Sequence, residues 1–414
     1  GTVRYGTVRY ATVRYGTVRC GAVRCGTVRY GTTSYTECIQ KHEPCGYSYM
    51  VTSHDSTRCK SPVVYRGENV VEHFMENLLD EAESIQKQLD IITPMILSEE
   101  DEKEFQHLAC CCICGEYLGT DRVRDHCHLT GKYRGAAHNA CNLQLQERRG
   151  KDGLALKVPV VIHNLKGYDA NLILSRMGEY ASKYKMECIG QNLDKFITFS
   201  IGNLQFIDSL NFLNASLETL TKNLLDAGEE NFTFINKYFS QKEAELLRRK
   251  GVYPYSYISN AAKFEEEKLP PIEKFYNDLT DEPLDKKDYE HAHNIWKTFN
   301  INNLGEYHDL YLKSDVLLLA DVFENFRKIC QKTYKLDPAH YVSAPGLSWD
   351  SMLFMTNVVL ELIGDPDQYL FIEKGIRGGM SMITRRHAEA NNPYFKNIKY
   401  DPAKPESYIY YVDA

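Results

Sequence analysis

From Asn69 onward the chain carries a helical pattern: Val70, Phe74, Leu78, Ala82, Ile85 and Leu89 recur at spacings of three and four, opposite a face rich in acids. Pro94 ends that helix, and an acidic stretch from Glu99 to Glu104 leads into a cluster of cysteines. Val158 to Ile162 reads as a short apolar strand, followed by a polar turn and a helix from about Tyr168. Phe196–Ile201 and Leu204–Ile207 flank Gly202-Asn203, a two-residue hairpin signal. Further helices are expected near 216–227, 286–298 and 306–330, and the tail from Asp337 mixes helix with a strand-like end, Tyr408–Val412. Strands alternating with helices predict a layered α/β core.

Residues 1–30 stand apart as six copies of a pentad, G-T-V-R-Y with small drift. A period of five matches neither the 3.6 of a helix nor the 2 of a strand, so no constant apolar face is expected. Each departure (Ala11, Cys20, Ala22, Cys25) is one base change away, as in a translated DNA repeat. The other reading is a basic, aromatic arm on single-stranded nucleic acid.

The 414 residues are 43% hydrophobic and 25% charged, as in globular proteins. No run approaches the roughly 18 apolar residues of a membrane span. Gly1 replaces a starting Met and no apolar leader follows, so an intracellular protein is expected, nucleus or cytoplasm unresolved. The thirteen cysteines are lopsided: Cys110, Cys111, Cys112 and Cys114 crowd together while Cys188 and Cys330 stand alone, a pattern for one metal site rather than a disulfide framework. Net charge is −7, with six arginines and no acid in the repeat leaving −13 on residues 31–414. Nucleic-acid contact must therefore come from local patches.

Cys111-Cys112-Ile113-Cys114-Gly115 supplies C-x-x-C and His138-Asn139-Ala140-Cys141 supplies H-x-x-C. Cys111, Cys114, His138 and Cys141 make a closed set for a tetrahedral, structural Zn²⁺, with Cys110 and Cys112 competing for the first position. Between the halves lie Asp125-His126-Cys127-His128 and Gly131-Lys132-Tyr133-Arg134-Gly135. A structural zinc site has no use for Asp-His-x-His. A one-metal nuclease needs an imidazole to deprotonate water and a hard oxygen ligand for Mg²⁺.

The run D-H-C-H…G-K-Y-R-G…H-N-A-C-N resembles the ββα-metal (His-Me) finger of phage recombination endonuclease VII. The resemblance implies that Asp125 and Asn142 hold the catalytic metal, that His126 is the general base and that His128 assists at the phosphate. It departs at His138, where the phage enzyme has cysteine. Residues 120–151 hold seven Lys/Arg against three acids. Two readings stand, an active nuclease acting on branched DNA and a zinc-stapled DNA-contact module.

Asn164 follows a strand and Tyr168-Asp169 opens a helix, while Tyr311 and Asp315 share one face of a long apolar helix. A buried, unpaired carboxylate at Asp315 costs several kcal/mol or stays protonated, a conflict that a metal ion resolves. N-x-x-x-Y-D and Y-x-x-x-D, in this order, are similar to the second and third exonuclease motifs of family B DNA polymerases. The resemblance makes Asp169 and Asp315 ligands of Mg²⁺ or Mn²⁺, Asn164 and Tyr168 contacts to the DNA strand, and Tyr311 the group that orients water. Asp208-Ser209-Leu210-Asn211-Phe212-Leu213 resembles the element with which protein-primed polymerases grip single-stranded DNA through Ser209 and Leu210; Ser216 fits the same pattern and equally a helix N-cap. Gly375-Ile376-Arg377-Gly378-Gly379 resembles the Y-x-G-G element between exonuclease and polymerase domains, making Arg377, Gly378 and Gly379 DNA contacts. Tyr410-Tyr411-Val412-Asp413-Ala414 looks like the opening of polymerase motif A, with Asp413 its metal ligand.

The closest resemblance is to protein-primed family B polymerases of Polinton/Maverick-type elements. The implied fold is α/β: a ribonuclease-H-like 3′–5′ exonuclease domain with an inserted ββα-metal zinc finger and the beginning of a polymerase palm. The implied layout is the repeat (1–30), a first exonuclease part (31–109), the finger (110–146), the exonuclease body (155–335) and a linker with the first palm strand (336–414). Implied partners are single-stranded and primer-template DNA, dNTP and a terminal priming protein, with no membrane. The first exonuclease motif, D-x-E, is missing where the repeat stands, and Asp288-Tyr289-Glu290 is out of order for it. The expectation is a fragment of a DNA-directed DNA polymerase, itself unable to polymerise, with a stand-alone nuclease and a catalytically dead DNA-binding remnant as alternatives.

Overall fold

The computed structural model describes residues 10–18, 25–30, 33–38, 43–53, 56–91, 93–128, 130–147, 157–191, 195–277, 282–376, 387–394 and 400–410. In chain order they form β1 (Tyr10–Val18), β2 (Cys25–Tyr30), β3 (Thr33–Cys38), β4 (Glu43–Thr52), β5 (Val63–Arg66), α1 (Val70–Asp90), α2 (Glu99–His107), β6 (Val123–His126), β7 (Tyr133–Ala137) and α3 (Asn139–Glu147). There follow β8 (Val158–Ile162), α4 (Asp169–Leu174), β9 (Met186–Gly190), β10 (Phe196–Ile201), β11 (Leu204–Asp208), α5 (Leu217–Asp226), α6 (Thr233–Tyr238), α7 (Gln241–Leu247), α8 (Lys286–Thr298), α9 (Leu304–Tyr334), α10 (Ala344–Thr356) and α11 (Pro366–Gly375). Seven strands make one sheet in the order β5-β4-β1-β8-β11-β10-β9. The first three are antiparallel, β1, β8 and β11 run parallel, and β10 and β9 return to antiparallel pairing.

Within the pentad repeat, β1 stands inside this sheet, an arrangement that its period does not indicate. It pairs with β4 from Tyr10↔Thr52 to Val18↔Glu43 and with β8 from Ala11↔Val160 to Val13↔Ile162. A strand bonded along both edges is held by its backbone groups, and Val, Thr and Tyr suit a pleated surface. The lack of a constant apolar face does not prevent that.

Alternation along the strands sorts side chains to two faces. Tyr47, Tyr49 and Val51 of β4 and Val158, Val160 and Ile162 of β8 pack with the predicted α1 stripe and with Ala170 and Ile173 of α4. On the other side Met50 joins the cluster built on α9, and Val161 packs with Phe323. The sheet is therefore a middle layer. Gly46 is where α9 comes closest to β4: an added Cβ there lies 3.0 Å from His308 Nε2 and 3.4 Å from Leu312 Cδ1.

Helix α9 is buried at 18 of its 31 positions, so it runs inside the protein rather than along it. Asn303 caps it by accepting from Glu306 N–H at 2.9 Å. Several of its polar side chains meet partners from other segments. Asp321 accepts from the N–H groups of Phe234 (2.7 Å) and Ile235 (3.0 Å) and so holds the first turn of α6. Arg327, 2% exposed, forks onto Asp337 (2.8 and 2.5 Å) and reaches Glu324 (2.9 Å).

A smaller core gathers Phe105, Cys111, Leu118, Tyr133, Ala136 and Ala137, with Met95, Leu97, Leu108, Ile113, Val123 and Cys141 around them. β6, β7 and α3 carry its second half. The acidic stretch read as a lead-in is helix α2: Ser98 and Asp101 form a capping box, and four acids fill the positive first turn. Phe105 of α2 enters the small core, so α2 packs with this module. Thr93 N–H donates to His128 O and Ile96 N–H to Gly131 O, both at 2.7 Å, which ties the incoming chain to the loop after β6.

Residues 358–414 form a compact unit of their own. Asp337 stays with α9 because Arg327 holds it. Within the unit Asn391 bonds the backbone at Asp401, Lys404 and Pro405. Residues 408–410 form no strand, as no neighbouring segment pairs with their backbone among the described residues.

Replacing Arg327 by Ala leaves Asp337 buried without its partner and is expected to cost about 3–5 kcal/mol of stability, read from the urea midpoint. Burial pushes the Asp321 carboxyl up to about 7, outweighing the two N–H donors. The stability of its neutral form is complete below the ordinary value of 3.8 and is lost as pH rises through about 7. Wild type should lose stability from this group progressively between pH 3.8 and about pH 7, and Asp321→Asn should remove that component of the pH profile.

Candidate functional site

The chain turns sharply where β8 ends. Asn164 adopts φ 64°, a left-handed conformation that asparagine tolerates, and Gly167 packs so closely on the Asn164 side chain that a Cβ would collide with it. Asp208, fully buried at the end of β11, fixes this turn by accepting from Asn164 N–H (2.9 Å), Lys166 N–H (3.1 Å) and Leu210 N–H (3.0 Å). Asn164 is exposed, Tyr168 half-buried, and Asp169 is buried in the first turn of α4. Ser209 meets His163 Nδ1 at 2.9 Å and is 0% exposed. That sets its hydroxyl behind the surface, with Leu210 half-buried beside it. Ser216 caps α5, accepting from Thr219 N–H at 3.2 Å.

On α9, Tyr311 and Asp315 share a face as their spacing predicts, and the cation beside them is Lys250. Its Nζ donates to Tyr311 Oη (2.9 Å) and to Asp315 Oδ2 (3.1 Å), with Asp315 0% exposed. The segment carrying Lys250 is strapped to α9. Tyr307 Oη donates to Val252 O (2.6 Å), Tyr253 Oη meets His308 Nδ1 (2.7 Å), and the Tyr253 ring stacks on Tyr311 with centroids 4.7 Å apart. Tyr255 Oη bonds Tyr311 Oη, and Gly251 lets the strap lie against the Tyr311 ring. Burial, with Arg66 adding to it, brings His308 down to about 3, so this wholly enclosed imidazole is neutral. Lys250 and the strap tyrosines were absent from the sequence reading: 65 positions separate Lys250 from Asp315, and no local spacing joins them.

In the small module Cys111, Cys114, His138 and Cys141 converge, their ligand atoms all within 4.8 Å of one another. Cys114 Sγ and Cys141 Sγ lie 3.4 and 3.8 Å from His138 Nδ1. Ligands about 2.0–2.3 Å from one tetrahedral zinc are roughly 3.3–3.8 Å apart, so the donor set fits that ion. His138 Nε2 faces Tyr117 O at 3.0 Å, which assigns its proton there and leaves Nδ1 for a metal. Burial pushes the Cys111 thiol up, but N–H donors, among them those of His138 and Ile113 (3.4 Å each), bring it down to about 6. Burial sends Cys112 the other way, to about 11, and neither Cys110 nor Cys112 joins the cluster. Among the described residues this is the one group of three or more metal-ligating side chains; Asp169 and Asp315 belong to none.

The residues between the zinc ligands are tied to the protein itself. Asp125, 4% exposed, pairs with Arg134 Nη2 at 2.6 Å. Arg124 forks onto Glu102 (3.0 and 2.7 Å), and Arg122 caps α2 by donating to the carbonyls of Phe105, Gln106 and Leu108. Three of the seven basic groups counted in the sequence are thus occupied. His126 and His128 stand side by side with ring centroids 4.8 Å apart, both half-buried, and Asn142 is half-buried in the first turn of α3. Arg377, Gly378, Gly379 and Asp413 lie outside the described residues.

Cys114→Ser and His138→Ala are each expected to lower zinc content from one ion per chain to near zero, measured by metal analysis after dialysis. Zinc should also leave as pH falls, because each bound thiolate must regain a proton.

No helix among the described residues is long and apolar enough to cross a membrane. No curated protein matches the chain. Residues 155–400, more than half of the sequence and including Asn164, Asp169, Lys250, Tyr311 and Asp315, match the family described as DNA polymerase type B, organellar and viral. The chain belongs to that family of type B DNA polymerases.

Proposed function

We propose that the body of this chain is a ribonuclease-H-like exonuclease domain of a protein-primed, Polinton-type polymerase, retained to hold single-stranded DNA rather than to hydrolyse it. Family membership brings template-directed nucleotidyl transfer, with DNA and dNTP as ligands and divalent metal ions in catalysis. When bound, such ions polarise a phosphoryl oxygen and lower the pKa of water. The observation that carries the exonuclease reading is the strand order β5-β4-β1-β8-β11. Three antiparallel strands are followed by two parallel additions, with Asp169 just past the end of β8 and the helix bearing Asp315 across the sheet.

The carboxylates do not fit a two-ion site. Residues 10–18 hold the strand beside β8 and read Y-A-T-V-R-Y-G-T-V, without an acid. Asp315 is paired with Lys250, and neither it nor Asp169 belongs to a cluster of metal-ligating side chains among the described residues. This chain's own residues therefore offer a strand-binding turn at Asn164 and Tyr168 and an ammonium–phenol pair at Lys250 and Tyr311. Both are suited to a terminal phosphate or sugar hydroxyl, and no hydrolytic step is derived from them. Asp413 is the residue we assign to the first metal of the palm, and a terminal protein is the primer this reading implies.

For the inserted module, residues 93–147, we propose an endonuclease VII-like ββα finger that acts as a zinc-stapled DNA contact. The Asp125–Arg134 pair favours contact over cleavage, since an arginine occupies the carboxylate that a catalytic metal needs. The competing assignment is a nuclease with His126 as general base, His128 at the phosphate, and Asp125 and Asn142 as ligands.

With Mg²⁺ present, wild type is expected to degrade a 3′ single strand no faster than Asp169→Ala, while both bind it. Rapid Mg²⁺-dependent loss of 3′ nucleotides that Asp169→Ala abolishes would overturn the binding-only reading and leave the exonuclease fold in place. On branched DNA, His126→Ala should change nothing in product formation; cleavage by wild type that disappears in this variant, with zinc content intact, would restore the nuclease.

A further inference from the structure

The seven-stranded sheet ends at β9, and that end is open. Every residue of β9 is exposed, and residues 181–191 are exposed throughout. Met186 and Ile189 are 37% and 52% exposed, and no β9 residue belongs to an apolar cluster. The inner edge of the strand is occupied by β10, from Met186↔Ile201 to Gly190↔Phe196. The bonds at its two ends show which backbone groups that pairing uses. Gly202 N–H donates to Lys185 O (2.9 Å), and Gln191 N–H donates to Lys195 O (2.8 Å). Backbone direction alternates along an antiparallel strand, so Glu187 and Ile189 turn inward with Lys185 and Gln191. Met186, Cys188 and Gly190 therefore turn their N–H and C=O groups to the open edge. A row of such groups is a template for one more strand.

Side-chain charge selects the strand that fits. Lys185 and Glu187 stand on one face of β9, joined at 2.9 Å, with Lys157 3.4 Å from the same carboxylate. A second copy of β9 laid antiparallel about Met186 sets Lys185 of each copy opposite Glu187 of the other. Opposite charges at that cross-strand distance attract, and like charges there destabilise. Centred on Lys185 or on Glu187, the same strand meets like charge with like. Centred on Cys188, it sets Glu187 against Ile189 and Lys185 against Gln191, and no ion pair forms. The order Lys185-Met186-Glu187 is thus complementary to its own reversal.

The other end of the sheet does not compete for this edge. β5 is half-buried, and its Arg66 forks onto Asp309 (3.1 and 3.4 Å). A contact of β9 with itself closes at two copies, whereas β9 laid on β5 would continue as a filament. We propose that β9 is an interface between two copies of this chain, paired antiparallel about Met186, which joins two sheets edge to edge. A segment this short makes a small interface, so the dimer is weak and forms as concentration rises. The strand shares no residue with the candidate site or with the zinc ligands.

The test is sedimentation velocity of the full chain over a concentration series, in which wild type should pass from monomer to dimer. Met186→Pro removes an N–H that the chain's own sheet does not use, at an edge position that tolerates proline. It should stay monomeric with the urea midpoint unchanged. Lys185→Glu sets acid against acid across the axis and should weaken dimerisation by roughly 10-fold, and adding Glu187→Lys should restore it. In Met186→Cys, diamide should oxidise the two introduced thiols to a disulfide between copies. Hydrogen-bonded partners lie about 5.5 Å apart at Cα, a distance that a disulfide spans. The native Cys188 has its counterpart roughly 14 Å away in this register and should not cross-link, as peptide mapping would show. A chain that stays monomeric at every concentration overturns the interface, and so does a dimer that Met186→Pro and Lys185→Glu leave intact. A link between the two copies of Cys188 overturns the pairing about Met186. Should Met186→Pro lower the urea midpoint, the charge reversal and its rescue decide alone.

Discussion

A helix that runs through the interior must satisfy every polar side chain it carries, and α9 is the element on which this protein is organised. Its apolar residues settle where it lies, against β4 and β8. Its polar residues settle what else must come to it. His308 draws in Tyr253, Tyr311 and Asp315 draw in Lys250, Asp321 draws in the first turn of α6, and Arg327 draws in Asp337. Each of these partners belongs to a segment with little repetitive structure of its own. The stretch from Arg248 to Phe275, which holds no α-helix or strand, packs in one core with this helix. The candidate site is one such demand among several: the same need for compensation that places a structural arginine places the lysine beside the conspicuous carboxylate.

That dependence explains which features could be read from the sequence. The α1 stripe, the Gly202-Asn203 hairpin and the course of α8 and α9 were legible because periodicity and turn chemistry are local. The convergence of Cys111, Cys114, His138 and Cys141 was legible because C-x-x-C and H-x-x-C are spacings that suit one tetrahedral ion. What stayed hidden was pairwise and distant. Arg134 on Asp125 and Lys250 on Asp315 are charges whose partner no spacing identifies. Three of the seven basic residues counted near the cysteines, Arg122, Arg124 and Arg134, turned out to be caps and counter-charges, because composition does not say what a guanidinium faces. The acids of α2 were read as a stretch leading into the cysteines, and the capping box at Ser98 and Asp101 was the local signal that marked a helix there.

The zinc module and the sheet do not share a core. The chain leaves α1 at Asp90 and resumes in β8 at Val158, and the apolar cluster between these points includes no residue of the two clusters flanking the sheet. Such an arrangement lets one part tolerate change that the other does not feel. A lesion at Cys111 falls in the small cluster, whereas a lesion at Asp321 falls on the helix of the body.

The strand built from pentads carries a different consequence. Advancing or retarding the repeat by five residues replaces Tyr10–Val18 with a stretch of nearly identical composition, so the same kinds of side chain return to the same positions opposite β4 and β8. Ordinary strands are locked because a slip of one residue turns every side chain to the wrong face. Here a slip of five restores the pattern. Copy number in the repeat can thus drift by replication slippage, gaining or shedding whole pentads, while the middle of the sheet keeps its chemistry.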